Sequence, residues 1–355
     1  MCGSSGASSG APEEHHPSAL PREASVASLA HLPGYPWCNR GAAQQVFPLS
    51  LLQGPELFCL HLAWAGHSSA RSLSWHTSAR HRMHAPGTRA KMSSIFAYQS
   101  SEVDWCESNF QHSELVAEFF NTFSNVFFLI FGPLIMFLMH PYAQKRTRAI
   151  YGVSALFMVV GLFSMYFHMT LSFLGQMLDE ISILWLLASG YSVWMPRCYF
   201  PKFTKGNRFY FSCLVVLTTM ISTSLTFVKP TVNAYALNSI AIHILYIVRK
   251  EYKKTSNGDL RHMIEMSVIL WAMSLTSWIS DRILCSFWQR IHFFYLHSIW
   301  HVLISITFPY GIVTMALVDA KYEMPDQTLK IHYWPRDSWP IGLPYVEIQD
   351  NDKSC

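Results

Sequence analysis

Charge is what this chain has least of. Only 14% of its 355 residues are Asp, Glu, Lys or Arg, against 51% hydrophobic and 15% aromatic. A soluble domain carries about 25% charged residues, so the scarcity excludes an ordinary soluble protein and points to a membrane one. Lys and Arg are missing altogether from residue 92 to 144. There is no P-loop, no dinucleotide fingerprint and no Cys-x-x-Cys pair. Nucleotide, nicotinamide and dithiol chemistry therefore have no motif to stand on. No Asn-x-Ser/Thr acceptor occurs and no cleavable signal peptide is evident, which leaves the first apolar block as the insertion signal. No internal repeat is visible, which argues against a transporter built from repeated halves. Neither a nucleic-acid partner nor an obligate protein partner is expected.

The apolar residues fall in blocks long enough to cross a bilayer core of about 30 Å, which takes about 20 helical residues. Seven are legible: Asn121–His140, Ala149–Leu171, Met177–Trp194, Phe209–Val228, Val232–Val248, Ile264–Leu284 and Phe293–Val318. The fifth, with Asn233, Asn238 and His243, has the weakest signal. The expected fold is an all-α membrane protein, a seven-transmembrane helix bundle. Basic residues give it an orientation. Loops after the first, third and fifth blocks hold Lys145, Arg146 and Arg148, then Arg197, Lys202, Lys205 and Arg208, then Arg249, Lys250, Lys253, Lys254 and Arg261. The other loops hold only Lys229, Arg282 and Arg290. By the positive-inside rule the N-terminus is lumenal or extracellular and the C-terminus cytosolic. The basic residues Arg71, Arg80, Arg82, Arg89 and Lys91 lie too far from the first span to count strongly.

Four regions follow. Residues 1–91, rich in Ser, Ala, Gly, Pro and Arg, read as disordered, or as an alternative extension ahead of a usual start at Met92. Residues 92–120 form a lumenal acidic segment, 121–318 the helix bundle, and 319–355 a polar cytosolic tail with turns at its Trp-Pro pairs. Of the single cysteines, Cys198 is expected to face the cytosol and Cys213 to pack within the fourth helix.

Ionisable groups inside membrane spans are costly and by default mark function. Ser164 and His168, four residues apart near the end of the second block, share one helix face, as do His297 and His301 at the start of the last. Asp179 lies at the start of the third block, in the first turn of its helix. The orientation above puts all five near the lumenal end. Three neutral imidazoles suit Zn²⁺, which takes three such ligands and an open position in catalytic sites and acidifies the water held there. Asp179 could then move a proton, and Ser164 could steady an oxyanion or position water. Taken singly, each has a plainer reading: interhelical hydrogen bonds for the histidines, a helix-dipole carboxylate for Asp179, packing for Ser164. His140, His243 and His292 lack such company and read as structural or interfacial. Asp104, Glu107, Asn109 and Glu118 offer hard oxygens of the kind Ca²⁺ takes, without EF-hand spacing. On the residues alone, a solvated acidic tail is the better reading of that segment.

Several short motifs resemble the alkaline ceramidase family. They are Asp104-Trp-Cys-Glu107-Ser-Asn109, Val116-Ala-Glu118-Phe-Phe-Asn121-Thr, Phe167-His168-Met-Thr-Leu171, Leu178-Asp179-Glu180 and His297-Ser-Ile-Trp-His301, within a similarity running from Met92 to about Tyr322. The resemblance implies a seven-helix hydrolase that cleaves the amide of ceramide. It implies zinc on His168, His297 and His301, with Ser164 and Asp179 as the family's serine and aspartate. It also implies a calcium site from Asp104, the Trp105 carbonyl, Glu107, Asn109 and Glu118, so that activity would depend on calcium. Cys106 and Cys285 lie on the lumenal side of the similar region. The lumen is oxidising, so a disulfide between them is expected, with two free thiols as the alternative. Endoplasmic reticulum membrane residence is likewise an inference from the family. The alternative function is a seven-helix receptor of the progestin/adiponectin receptor type with a structural or weakly catalytic zinc site. The opposite topology of those receptors conflicts with the loop charges.

Overall fold

The computed structural model describes residues 94–337 and 342–349. The expectations for residues 1–91 and for a start at Met92 lie outside the described residues. Within the described residues, the apolar blocks wind into helices whose ends are set by short polar links. They are α1 (Phe119–Ser124), α2 (Val126–Leu138), α3 (His140–Lys145), α4 (Ala149–Thr170), α5 (Phe173–Trp194), α6 (Arg208–Thr226), α7 (Thr231–Lys254), α8 (Gly258–Ile283), α9 (Cys285–Arg290) and α10 (Leu296–Glu323). A two-stranded antiparallel hairpin, β1 (Thr328–Trp334) and β2 (Leu343–Gln349), closes the chain.

Among the described residues, six segments are long and apolar enough to cross a membrane: Phe119–Leu138, which joins α1 and α2, and then α4, α6, α7, α8 and α10. The protein is therefore a multi-pass membrane protein. At 22 residues α5 is as long as α4, but Gln176, Asp179 and Glu180 in its first half dilute its apolar character. It packs against α4, α6, α7 and α10.

The link between α4 and α5 fixes the site. Leu171 adopts a left-handed conformation, φ 47°, that ends α4. Ser172 then caps α5, its Oγ accepting from the Gly175 N–H at 3.1 Å. A Cβ at position 175 would stand 2.9 Å from the Phe167 Cα, so glycine lets the two helices meet this closely. The helix starts at Phe173, four residues before the Met177 boundary that the sequence suggests. Asp179 lies in the second turn of α5 rather than at its start. A helix-dipole role for it no longer applies.

Aromatic packing welds the middle of the bundle. Phe157 of α4 stacks on Phe308 of α10 with centroids 4.1 Å apart, and Phe128 of α2 sits 4.7 Å from Phe157. On the outer faces, apolar side chains such as Leu217, Met220 and Ile221 of α6 are exposed. An outward apolar face of this kind suits lipid. Cys213 belongs to that exposed face, not to a packed interior as the sequence reading has it.

At the end away from the histidines, the buried Asp319 of α10 accepts from Arg146 Nε at 2.8 Å and Nη2 at 3.1 Å. Arg208 donates to the carbonyls of Ser192, Val193 and Met195, which satisfies the last turn of α5. Breaking a buried pair leaves an uncompensated charge, a loss of about 3 kcal/mol. Asp319→Asn is expected to unfold at lower temperature in detergent, with a smaller effect from the partly exposed Arg146→Ala. Unchanged melting of both would show that the pair contributes nothing.

The tail also differs from expectation. Helix α10 runs on to Glu323, past the boundary at 318. The hairpin then packs into the bundle end, with Val346 and Ile348 in one core with Ile135, Met139 and Tyr142. Tyr310 Oη donates to the Gly342 carbonyl at 2.9 Å.

Candidate active site

Helix α4 delivers His168 and helix α10 delivers His297 and His301 to one buried point. One ring nitrogen from each lies within 4.8 Å of the others. His168 and His301 are wholly buried and His297 is 2% exposed. Each ring is held from behind. His168 Nδ1 meets the Glu118 carboxylate, leaving its Nε2 buried without a partner. His301 Nδ1 lies 2.7 Å from Ser124 Oγ, and its Nε2 lies 3.5 Å from Ser164 Oγ. His297 stacks under Trp105 with centroids 3.6 Å apart, and its Nδ1 has no partner. Buried polar atoms are almost always satisfied. Two orphaned imidazole nitrogens in a cluster of three rings form a group that could hold a metal ion, and imidazole-only ligation suits zinc. The carboxylate behind His168 is the usual outer partner that fixes a ligand's tautomer.

Ser164 borders the cluster at His301, with its Oγ 3.5 Å from His301 Nε2, and Asp179 lines the cavity that His297 also lines. Asp179 Oδ1 is buried without a partner. Asp179 and His297 open into a cavity of about 720 Å³ between the helices. Its walls are mainly apolar, with Phe128, Phe157, Leu237, Trp271 and Phe308 among them. A mainly apolar cleft with a few convergent polar groups is the usual form of a small-molecule site.

The acidic segment folds over the histidine end. Asn109 Nδ2 donates to Asp104 at 3.2 Å, while Asn109 Oδ1 stays buried and unpartnered. Glu118 Oε1 accepts the Trp105 N–H at 3.1 Å. The Glu107 oxygens accept the N–H groups of Phe120 and Asn121 at 2.7 and 2.9 Å, so Glu107 caps α1 from outside the helix. Burial pushes the Glu118 carboxyl up to about 8, and burial raises Glu107 as well. Sequence reasoning assigns Glu118 to the calcium side alone, but the structure also puts it on His168. It belongs to a chain of contacts: Ser298 Oγ donates to Asn121 Oδ1 at 2.7 Å, and Asn121 Nδ2 donates to Glu118 at 3.1 Å.

Cys106 and Cys285 are joined by a disulfide with Cα atoms 5.2 Å apart. Two neighbours that the sequence reading passes over reinforce the join. Asp281 Oδ2 accepts the Cys106 N–H at 3.1 Å, and Arg282 Nη1 donates to the Asp104 carbonyl at 2.6 Å. An acidic residue in the last turn of an apolar span is itself a signal, and it could have been used here. Ser124, behind His301, has no such signal. His243 meets Tyr191 Oη at 2.7 Å, a structural contact.

A family model described as Ceramidase matches residues 97–347. Alkaline ceramidase 1 of Mus musculus is 88% identical over 273 residues, covering 77% of this chain and 100% of that protein. Alkaline ceramidase 1 of Homo sapiens is 78% identical over 264 residues, 74% of this chain and 100% of that protein. An alkaline ceramidase of Drosophila melanogaster is 38% identical over 255 residues, 72% of this chain and 90% of that protein.

Proposed function

The chain belongs to the ceramidase family and is an enzyme of that type, and from this premise we propose that it is a zinc-dependent, calcium-activated intramembrane amidase. It would hydrolyse ceramide to sphingosine and a free fatty acid. One observation carries the metal part of the reading: His168 Nε2 and His297 Nδ1 are buried without partners in a group of three histidines that His301 completes, and His297 lines an apolar cavity together with Asp179. Family membership in an enzyme class sets the receptor alternative aside.

The ligands would be His168, His297 and His301. Bound there, zinc supplies Lewis acidity that polarises a carbonyl and acidifies water. The chain's own groups do the rest. Glu118 and Ser124 hold the His168 and His301 rings in the orientation that presents their other nitrogen. Asp179 takes a proton from water and returns it to the departing amine, a transfer by a positioned carboxylate. Ser164 positions that water. The Trp105 ring over His297 and the apolar cavity walls keep bulk water out and seat the two alkyl chains.

The calcium reading assigns Asp104, the Trp105 carbonyl, Glu107, Asn109 and Glu118 to a second cation, which would brace the acidic segment against the zinc end. We place seven spans in the membrane, α5 included, because its polar residues point to the cavity rather than to lipid. The loop charges put the N-terminal side in the lumen and the C-terminus in the cytosol, and the endoplasmic reticulum is the proposed membrane. Residues 1–91 are proposed to be dispensable.

Purified protein given ceramide should release sphingosine and fatty acid in equal amounts, and less of both when calcium is chelated. Intact ceramide after incubation with zinc-loaded protein would rule the proposal out. Glu118→Gln should weaken both the calcium response and zinc retention, because Glu118 serves His168 and the acidic segment together. Removing an outer partner of a ligand typically lowers metal affinity about 10–100-fold. Metal titration of the variant checks this, and unchanged zinc affinity would separate Glu118 from the zinc centre.

A further inference from the structure

The cavity has a second polar feature, which the proton transfer does not use. Beside Asp179, on the same helix, Glu180 lines the wall. A relay holds it: Ser101 Oγ donates to Gln176 Oε1 at 2.7 Å, and Gln176 Nε2 donates to Glu180 Oε1 at 2.8 Å. That leaves Glu180 Oε2 buried with no partner. From the facing helix α7, Asn233 comes to the same wall with 0% exposure. Its Nδ2 donates to the Glu180 backbone carbonyl at 3.0 Å, which fixes the amide orientation, and its Oδ1 is left buried and unpartnered.

Both orphaned atoms are acceptors. Two buried acceptors on one wall of a mainly apolar cavity are costly unless something donates to them. Chain carbons cannot donate, and neither can an ester or the amide carbonyl. Besides its amide N–H, a ceramide carries its donors on the sphingoid head, as two hydroxyls on the carbons either side of the one that bears the amide nitrogen. Given the ceramide reading above, on which this rests, we propose that Glu180 and Asn233 form the subsite that receives the hydroxyls of the sphingoid head. They are specificity residues, with Gln176 and Ser101 as the groups that position Glu180. The subsite would also seat the amide beside Asp179, one residue away on α5, and would refuse acyl lipids that bring no donor.

The test compares kcat/KM for ceramide with that for 1-deoxyceramide and 3-deoxyceramide, each lacking one hydroxyl, using the zinc-loaded full chain. A site built to bond a hydroxyl rejects an analogue without it strongly, so wild type should prefer ceramide over at least one analogue by about a hundredfold or more. Glu180→Gln and Asn233→Ala should each cut that preference about tenfold or more, mainly through KM for ceramide. The two changes lie on different helices, so a folding defect in one leaves the other readable. Equal losses on ceramide and both analogues, with the preference intact, would overturn the inference and leave the residues structural. A wild type with no preference would overturn it as well. A wild type that cleaves none of the three would instead refute the ceramidase reading.

Discussion

Replacing His301 with alanine is expected to release the metal and to lower ceramide turnover by about a thousandfold or more. His301 shares the buried point with His168 and His297. With one of three imidazoles gone, the two remaining donors cannot complete the coordination that zinc takes in catalytic sites. Electrophilic assistance from the metal is worth several kcal/mol, and about 1.4 kcal/mol is a factor of ten in rate. Ser124 Oγ would lose the ring but keep its bond to the Asn121 carbonyl, so at most a modest loss of stability should accompany the loss of activity. Metal content, unfolding temperature and sphingosine release, measured on one preparation, separate the two effects. A His301→Ala protein that folds, carries no zinc and still turns over ceramide at the wild-type rate would mean the histidines are structural.

The second large effect belongs to Asp179. Asparagine has the same shape, but it cannot carry a proton. General acid–base catalysis contributes about 10²–10⁴-fold, so Asp179→Asn should lose activity by that factor while retaining its zinc. The pairing of results is the informative part. Retained metal with lost turnover assigns Asp179 to the proton transfer. Lost metal would make it a ligand or a support for one, and full activity would remove it from the chemistry.

How much of this was open to reading in the chain depends on which physical signal each residue leaves. His168, His297, His301, Ser164 and Asp179 stand out because polar groups in apolar spans are costly, and because four-residue spacing places pairs on one helix face. Bringing them to a common point takes long-range packing, such as the close contact at Gly175 that turns α5 back on α4. No local pattern reports that contact. The same holds for Ser124 behind His301 and for Asn233 beside Glu180, since serine and asparagine in a membrane helix are unremarkable until a partner is seen. Arg282 reads as a loop charge in the orientation, and Asp281 beside it, an acid at a span's end, carries a signal that the sequence reading leaves aside. The hairpin left a signal that went unused. Leu329, Ile331 and Tyr333 alternate with Thr328, Lys330 and His332 in the strand period, yet the polar composition of the tail masked it. The Cys213 error has a different source: cysteine is among the most buried residues of soluble proteins, a preference that reverses nothing on a lipid-facing helix.

Metal removal and return tests the central claim most directly. Purified protein would be stripped by a chelator strong enough for zinc, freed of chelator, and assayed on ceramide before and after adding back Zn²⁺ with calcium held constant. The account predicts that turnover disappears with the metal and returns in step with a single equivalent of zinc, and that the His301→Ala protein takes up none. Undiminished turnover by protein shown to be free of zinc would contradict it.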